Sequence, residues 1–209
     1  MARYIGPVCK RCRRHGEKLY LKGERCYTDK CAMERRPTPP GEGSKKRRKK
    51  PSDYSLQLTE KQKVRDMYGI LEKQFRIYFY NANKKKGITS QNLVDILESR
   101  LDNVVYRLGF GASRKMARFM VRNKYFTVNG KIVNIASYQV KLGDEIKIKE
   151  KYAKNKSVLA SLNLAKQRGY ADWLEYIEDT KSGKLVRLPS IEEVNLPVNL
   201  QLVVELYSK

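Results

Sequence analysis

All four cysteines of the chain lie within 23 positions, in the pattern C-x2-C-x13-C-x4-C. Nothing in the sequence signals export, so disulfides are not expected, and paired thiols at short spacing predict a metal site. Cys9 and Cys12 could bind one ion from a first turn, and Cys26 and Cys31 could complete a tetrahedral set from a second. Four thiolates leave no open coordination position, so the sequence predicts one structural zinc ion rather than a catalytic one.

The cysteines lie in the most basic part of a strongly basic chain. The 45 lysines and arginines against 22 acids give a net charge of +23 over 209 residues. Residues 1–50 carry 17 basic and 5 acidic side chains, whereas residues 171–209 carry 4 and 7. This balance indicates a polyanionic partner. No apolar run approaches the roughly 20 residues of a membrane span, and the N-terminus lacks a signal-peptide core, so nucleic acid is the predicted partner.

Other uses of the thiols stay open. An iron–sulfur cluster also takes four thiolates, although no other feature of the chain indicates electron transfer, and redox-active thiols are the second alternative. His15, the only histidine, could replace one cysteine, but its exposed, basic context predicts RNA contact or a surface role. The cysteine segment is too short and polar to fold alone, so metal binding would supply its folding energy.

A proline-rich cationic segment follows the cysteines. Four of the seven prolines lie between Pro37 and Pro51, and residues 45–50 are six consecutive cations. Such a segment cannot bury enough apolar surface to form a core. It predicts an extended arm that becomes ordered on a polyanion, with a solvating or localisation run as the alternative.

Helical periodicity begins after this arm. A capping-box pattern at residues 59–62 precedes apolar residues at helical spacing, up to a predicted break at Gly69. A second helical stretch ends in a basic turn over residues 81–87. An apolar stripe then predicts one continuous helix over about residues 90–108.

A short cationic helix comes next. Ser113 could cap a helix in which Arg114, Arg118 and Arg122 recur at i, i+4 and i+8 and therefore share one face. Phe119 and two methionines are predicted to face the core. Because no acidic residue interrupts this helix, the arginine row is predicted to be a phosphate-binding track rather than a solvated face with internal pairs.

The pattern then changes to a period of two. The type I′ turn pair Asn129-Gly130 predicts a hairpin over residues 126–133. Further strands are predicted over residues 138–149, and residues 151–178 are predicted to be partly helical. The alternation of leucines and valine over residues 200–206 predicts a last strand. Together these elements predict an α+β fold.

The stretch ESRLDNVVYRLGFGASRKMARFMVRNKYFTVNGKIVNIASYQVKLGDEI resembles an RNA-binding module made of two helices and a hairpin. This module is shared by small-subunit ribosomal protein four, some RNA pseudouridine synthases, a small heat-shock RNA-binding protein and bacterial tyrosyl-tRNA synthetases. The cysteine segment, PSDYSLQLTEKQKVRDMYGI, NANKKKG and LPVNLQLVVELYS resemble the ribosomal member in the same order. The chain is thus identified as a member of the bacterial-type family of small-subunit ribosomal protein four, in its four-cysteine zinc-binding form.

The resemblance implies an architecture and a set of partners. A zinc knuckle and basic arm (residues 1–50) would precede a helical domain (residues 51–92 and 186–209). An α/β RNA-binding domain (residues 93–185), two helices packed on a small mostly antiparallel sheet, would be inserted into it. The implied role is cytoplasmic, in a ribosome of bacterial or organellar type, at a multi-helix junction of the 16S ribosomal RNA 5′ domain.

Further partners and effects follow from the same resemblance. It implies contact with ribosomal protein five and with messenger RNA near the entry channel. It also implies an influence on decoding accuracy and, in several bacteria, translational autoregulation. No membrane and no small-molecule substrate are implied.

The resemblance also carries roles onto matching positions. The implied metal ligands are Cys9, Cys12, Cys26 and Cys31. The predicted RNA contacts before the inserted domain are Arg3, Lys10, Arg11, Arg13, Arg14, Lys22, Arg25, Arg35, Arg36, Lys45, Lys46, Arg47, Arg48, Lys49, Lys50 and Lys63. Those within it are Arg100, Tyr106, Arg107, Ser113, Arg114, Lys115, Arg118, Arg122, Asn129 and Lys131. Two segments depart from the family pattern: the arm is a plainer cation run, and residues 150–185 match weakly.

Three other functions are weighed against this one. Arg100-Leu101-Asp102 resembles a catalytic motif of pseudouridine synthases, but the chain is too short to add their catalytic domain, and Asp102 is expected in a surface or capping pair. No nucleotide-phosphate loop, acid–base histidine or nucleophile motif appears, so no enzyme is predicted. A stand-alone RNA chaperone or rescue factor would need no zinc knuckle. A DNA-binding regulator would need a recognition helix and dimer symmetry.

Overall fold

The computed structural model describes residues 3–41 and 50–208. The chain divides into two compact units. Unit 1 runs to Leu93 and resumes at Asn195, and unit 2 is Val94–Val194. The domain boundaries at residues 92/93 and 185/186 stay predictions. Within the described ranges, no helix has both the length and the apolar character that crossing a bilayer requires.

Helices dominate the described residues, in which five strands form one sheet. The first helices are α1 (Cys9–His15), a 3-10 helix (Gly23–Tyr27), α2 (Ala32–Arg35), α3 (Asp53–Tyr68), α4 (Glu72–Lys84), α5 (Thr89–Glu98), α6 (Leu101–Arg107) and α7 (Arg114–Arg122). The remaining elements are β1 (Phe126–Val128), β2 (Lys131–Ile132), β3 (Glu145–Ile148), α8 (Glu150–Ala153), α9 (Lys156–Arg168), β4 (Leu174–Ile177), β5 (Ser182–Leu185), α10 (Ile191–Val194) and α11 (Leu200–Tyr207). This composition confirms the α+β prediction.

The capping box predicted at residues 59–62 is wrong, because helix α3 already begins at Asp53. Ser52 is the N-cap, because its hydroxyl accepts a hydrogen bond from the Ser55 amide at 3.3 Å. Thr59 lies inside the helix and donates its hydroxyl to the Ser55 carbonyl at 2.7 Å. The predicted break at Gly69 is confirmed, since this glycine ends α3 in the left-handed region with φ of 62°.

The single helix predicted over residues 90–108 is wrong, because the backbone leaves the helix between α5 and α6. Val140 donates its amide to the Ser99 carbonyl at 2.8 Å, and Leu101 donates to the Tyr138 carbonyl at 2.8 Å. Arg100 is extended and forms an isolated antiparallel bridge with Gln139. Backbone hydrogen bonds with residues 138–140 therefore replace helical hydrogen bonds at this break. Apart from that bridge, residues 138–142 form no strand.

The sheet of unit 2 is antiparallel throughout, with strand order β2-β1-β3-β5-β4. The predicted hairpin is confirmed: Asn129 and Gly130 join β1 to β2 with φ of 49° and 76°, the left-handed pair that a type I′ turn requires. On the core side, the Phe110 ring, between α6 and α7, meets the Phe126 ring of β1 at 5.3 Å.

The last predicted strand is a helix. α11 covers the alternating residues, and its N-cap Asn199 accepts hydrogen bonds from the amides of Gln201 and Leu202. The Tyr207 ring stacks against Phe79 of α4, with ring centroids 4.5 Å apart. Packing within unit 1 thus selects the helical conformation over the strand that period-two alternation indicated.

Candidate metal centre and nucleic-acid interface

Three short helical elements bring the cysteines together. α1 carries Cys9 and Cys12, the 3-10 helix carries Cys26, and Cys31 is the N-cap residue of α2. The thiols are free; Cys9 is half-buried and the other three are buried. Together they line one small cavity of about 10 Å³, beside Leu21, Met33 and other mostly apolar residues. All four cysteines therefore line the same cavity, and their role as metal ligands stays a prediction.

The surroundings of Cys12 and Cys26 favour the neutral thiol at these two positions. Burial raises the pKa of Cys12 and Cys26, and the charges of neighbouring thiolates raise it further. Backbone hydrogen bonds oppose this shift: Leu19 hydrogen-bonds Cys12, and the Lys22 amide donates to the Cys26 sulfur at 3.4 Å. As the side chains are placed in residues 3–41 and 50–208, no three Cys, His, Asp or Glu form a set that could hold a metal ion.

His15 is not the exposed residue that the sequence predicts. Its side chain is only 1% exposed, and Nε2 lies 3.1 Å from the Asp66 carboxylate of α3. Arg11 approaches the same carboxylate at 3.5 Å. Nearby, Lys63 is paired with Glu17 at 3.1 Å. These contacts attach the cysteine segment to α3.

Two buried acids organise the arginines of unit 2. Asp102 accepts from Arg100 Nε at 3.0 Å and from Nη2 at 2.6 Å, and Arg118 lies 3.6 Å away. Glu98 accepts from Arg107 at 3.0 and 2.9 Å. Asp102 is therefore a buried partner of arginines and not the surface or capping residue that the sequence predicts.

Helix α7 does not present a continuous exposed arginine row. Arg118 is buried, and Arg114 is half-buried and donates its Nε–H to the side-chain oxygen Oδ1 of Asn103 at 2.8 Å. Arg122 is exposed, and Phe119, predicted to be inward, is 55% exposed. The prediction of an exposed row is wrong because it considered only acids within α7. The acids that pair with these arginines lie at the end of α5 and on α6. The alternation of acid and arginine at Glu98, Arg100 and Asp102 was the sequence feature that could have indicated these ion pairs.

The predicted RNA contacts consequently fall into four sets. Exposed are Lys10, Arg14, Lys22, Arg25, Arg35, Arg36, Lys50, Lys115, Arg122, Asn129 and Lys131. Half-buried are Arg3, Arg11, Arg13, Lys63, Arg107 and Arg114. Buried are Arg100, Tyr106, Ser113 and Arg118. Lys45, Lys46, Arg47, Arg48 and Lys49 lie outside the described residues.

Two members of these sets have local structural roles. Ser113 caps α7 by accepting from the Met116 amide at 3.3 Å. The Asn129 side chain holds the hairpin: its Nδ2 donates to the Asp144 carboxylate at 2.8 Å, and its Oδ1 accepts from the Glu145 backbone amide at 2.9 Å. Contact with RNA stays a prediction for each residue.

Two family models match consecutive segments of the chain. A family model described as the ribosomal protein S4/S9 N-terminal domain matches residues 3–98, and an S4 domain model matches residues 99–146. Small ribosomal subunit proteins uS4 of Thermus thermophilus and Geobacter sulfurreducens are 54% identical over the full length of both chains, and that of Acetivibrio thermocellus is 56% identical.

These matches leave no segment of the chain without a counterpart. The relatives are ribosomal proteins and not enzymes, which confirms the prediction that the chain has no catalytic function. The identity far exceeds what a shared fold alone would require, and the chain belongs to the small ribosomal subunit protein uS4 family.

Proposed function

We propose that the chain is a structural constituent of the small ribosomal subunit that binds 16S ribosomal RNA and resides in the ribosome. The observation that carries this proposal is 54% identity to uS4 proteins over the whole chain. A net charge of +23 supports it, because cations that neutralise phosphates provide sequence-independent affinity for RNA. We place the primary contact at a multi-helix junction of the 5′ domain.

The binding mode is electrostatic and depends on RNA shape. Exposed cations at the cysteine segment, at α7 and at the hairpin would each neutralise phosphates of different RNA helices and hold them at fixed angles. In α7 this role falls to Lys115 and Arg122, since Arg118 is buried. Contacts with ribosomal protein five and with messenger RNA, effects on decoding accuracy and autoregulation belong to the same proposal.

Competition binding tests the proposal directly. A filter-binding titration would measure affinity for a 5′-domain transcript at physiological salt, against an unrelated structured RNA of equal length. Strong preference for the 5′ domain is the expected result. Equal affinity for both RNAs would contradict an assembly role and would favour a stand-alone RNA chaperone that uses the same module.

The thiol cavity is proposed to take one structural zinc ion. The convergence of four thiols on one cavity supports this, as do the backbone hydrogen bonds at Cys12 and Cys26, which orient sulfur ligands. The side chains would have to adjust to bring each sulfur to about 2.3 Å from the metal. Bound zinc would favour the thiolates and brace the cysteine segment.

Metal analysis of the purified protein tests the zinc proposal. We expect about one zinc per chain, lost in Cys12→Ser, because a tetrahedral structural site needs all four ligands. His15→Gln is the matched control and should keep its zinc, since His15 is engaged with Asp66. A metal-free wild-type protein after expression in zinc-supplemented medium would refute the site. Iron in place of zinc would support the cluster alternative.

A further inference from the structure

Six lysines lie within five residues of one or other member of a pair of stacked tyrosines in unit 2. The tyrosines are Tyr125 and Tyr152. The lysines are Lys124, Lys147, Lys149, Lys151, Lys154 and Lys156. We call these eight residues the Lys–Tyr surface. Six of its eight residues lie after residue 146, where the match to the S4 domain model ends, and none of the eight is among the predicted RNA contacts.

The backbone holds this surface in a fixed arrangement. The rings of Tyr125 and Tyr152 are parallel within 7°, with centroids 3.8 Å apart. Lys149 donates its amide to the Tyr125 carbonyl at 2.9 Å, and Tyr152 donates its amide to the Lys149 carbonyl at 2.9 Å. The start of β1, the end of β3 and α8 are therefore joined around the tyrosine pair.

The lysines point outward from this support. Lys147 lies opposite Thr127 in the register of β3 on β1, and its neighbours Ile146 and Ile148 are buried, so it occupies the solvent face of the sheet. Lys149 is half-buried and the other five lysines are exposed. Lys151 Nζ lies 5.8 Å from the centre of the Tyr152 ring.

The charge of this surface is not neutralised within the described part of the chain. None of the six lysines forms an ion pair with an acid there. Glu150 is the only acid in residues 147–156. By contrast, Arg100, Arg107 and Arg118 pair with buried acids of unit 2. Like charges held close together repel one another, and a polyanion would relieve that repulsion.

We propose that the Lys–Tyr surface binds a stretch of ribosomal RNA backbone. Lysine ammonium groups bind phosphates as point charges, and surfaces that bind single-stranded RNA combine a cationic path for the backbone with aromatic side chains. The inference rests on the proposed function, since it names a second RNA contact of the same protein. It also adds six lysines to Lys115 and Arg122 as cations of unit 2 that neutralise phosphates.

Matched charge removal tests this surface. The variant K147Q/K151Q/K154Q removes three lysines of the Lys–Tyr surface. The control K141Q/K166Q/K184Q removes three lysines of unit 2 that lie outside it and outside the predicted RNA contacts. Affinity for the 5′-domain transcript would be measured over a salt series. We expect the first variant to bind at least tenfold more weakly than wild type at physiological salt. Its plot of log K against log salt should be shallower, with a slope smaller in magnitude by about 2.

The results separate this inference from the proposed function. If the wild type prefers the 5′ domain but the two variants bind equally, the Lys–Tyr surface is not an RNA contact. If the wild type shows no preference, the proposed function fails, and the difference between the variants on any structured RNA still decides the inference.

Protection of lysines from acylation gives an independent measurement on the wild-type protein, without any substitution. Lysine acylation followed by mass spectrometry would compare free and RNA-bound wild type. Protection of Lys151, Lys154 and Lys156, with Lys166 and Lys184 still reactive, is expected. Equal reactivity of Lys151, Lys154 and Lys156 with and without RNA would overturn the proposal.

Discussion

Burial separates arginines that stabilise the protein from cations that can reach RNA. Arg100 and Arg118 share the Asp102 carboxylate and are 1% and 4% exposed. A guanidinium removed from water must keep its partner, since an isolated buried charge is strongly unfavourable. Lys115, on the same helix as Arg118, is exposed and available to phosphates.

Replacing Asp102 should destabilise unit 2 strongly. Asp102→Ala would leave two buried guanidinium groups without their shared acid, which is expected to cost about 3–5 kcal/mol in free energy of unfolding. Urea unfolding followed by circular dichroism measures this change. Lys115→Gln is the control and should lie within about 0.5 kcal/mol of wild type. A loss below about 1 kcal/mol for Asp102→Ala would contradict the buried network.

Glu72 should make the stability of unit 1 depend on pH. Burial tends to raise the pKa of Glu72, but Lys61 Nζ at 2.7 Å, the Tyr207 hydroxyl at 3.0 Å and the Arg65 guanidinium hold it below its usual value. A lowered pKa stabilises the fold above the unfolded-state pKa of about 4.3, and this stabilisation is lost as pH falls through the folded-state pKa.

Glu72→Gln should therefore lower stability at pH 7 and have a smaller effect near pH 3.5. Urea midpoints at pH 7, 5 and 3.5 test this dependence. Glu192→Gln, an exposed carboxylate on α10, is the control and should leave the midpoints unchanged. A penalty for Glu72→Gln that is the same at all three pH values would contradict the ion-pair explanation.

At the scale of elements, helix α11 illustrates how packing overrides alternation. Leu200 and Val203 are buried at 5% and 0% exposure, three residues apart, which is helical and not strand spacing. Tyr207, seven residues after Leu200, packs on Phe75 and Phe79. The apolar residues between Leu200 and Tyr207 fit both the helical period of about 3.6 and the strand period of two. The N-cap at Asn199 and the aromatic contacts of Tyr207 therefore decide the conformation.

Removing the cap should weaken α11 measurably. Asn199→Ala deletes the side-chain acceptor for the amides of Gln201 and Leu202 and should cost about 1 kcal/mol. Chemical denaturation with a probe of unit 1 measures the loss. Asn199→Asp keeps an acceptor and is expected to retain stability. Equal losses in both variants would show that the cap is not what stabilises the helix.

For the whole molecule, the question is how far the metal supports the fold. The cysteine segment contacts α3 through Asp66 and Lys63, whereas unit 2 has its own core around Phe110 and Phe126. The segment has few apolar contacts of its own beyond the buried Leu19 and the cysteines. Local stability should therefore differ between the two parts of the chain.

Chelation of the proposed zinc should destabilise the cysteine segment selectively. Amides in residues 9–31 are expected to lose hydrogen-exchange protection, because the ordering free energy of this segment would come from metal binding. Amides of α6, α7 and the sheet should keep theirs. A variant with serine at all four cysteine positions is the control and should not respond to the chelator. Cooperative loss of protection throughout unit 2 would contradict this expectation.

The spacing of residues along the chain was sufficient to predict several local features. The grouping of Cys9, Cys12, Cys26 and Cys31, the Asn129-Gly130 hairpin and the end of α3 at Gly69 depend on residues close together in sequence. Turn chemistry and side-chain period encode such features directly. The resemblance to a ribosomal protein family likewise depended only on residue identities in order, and comparison over the full chain confirmed it.

Tertiary structure decided the features that depend on distant neighbours. The sequence alone determined that the chain is cationic, that its fold is α+β and that its four thiols lie in one segment, but not which cations face solvent. Arg118 is buried because Asp102, on another helix, lies 3.6 Å away, and the helix predicted over residues 90–108 breaks because Tyr138 and Val140 pair with its backbone. Burial and pairing are properties of neighbours in space, and those neighbours exist only once the chain has folded.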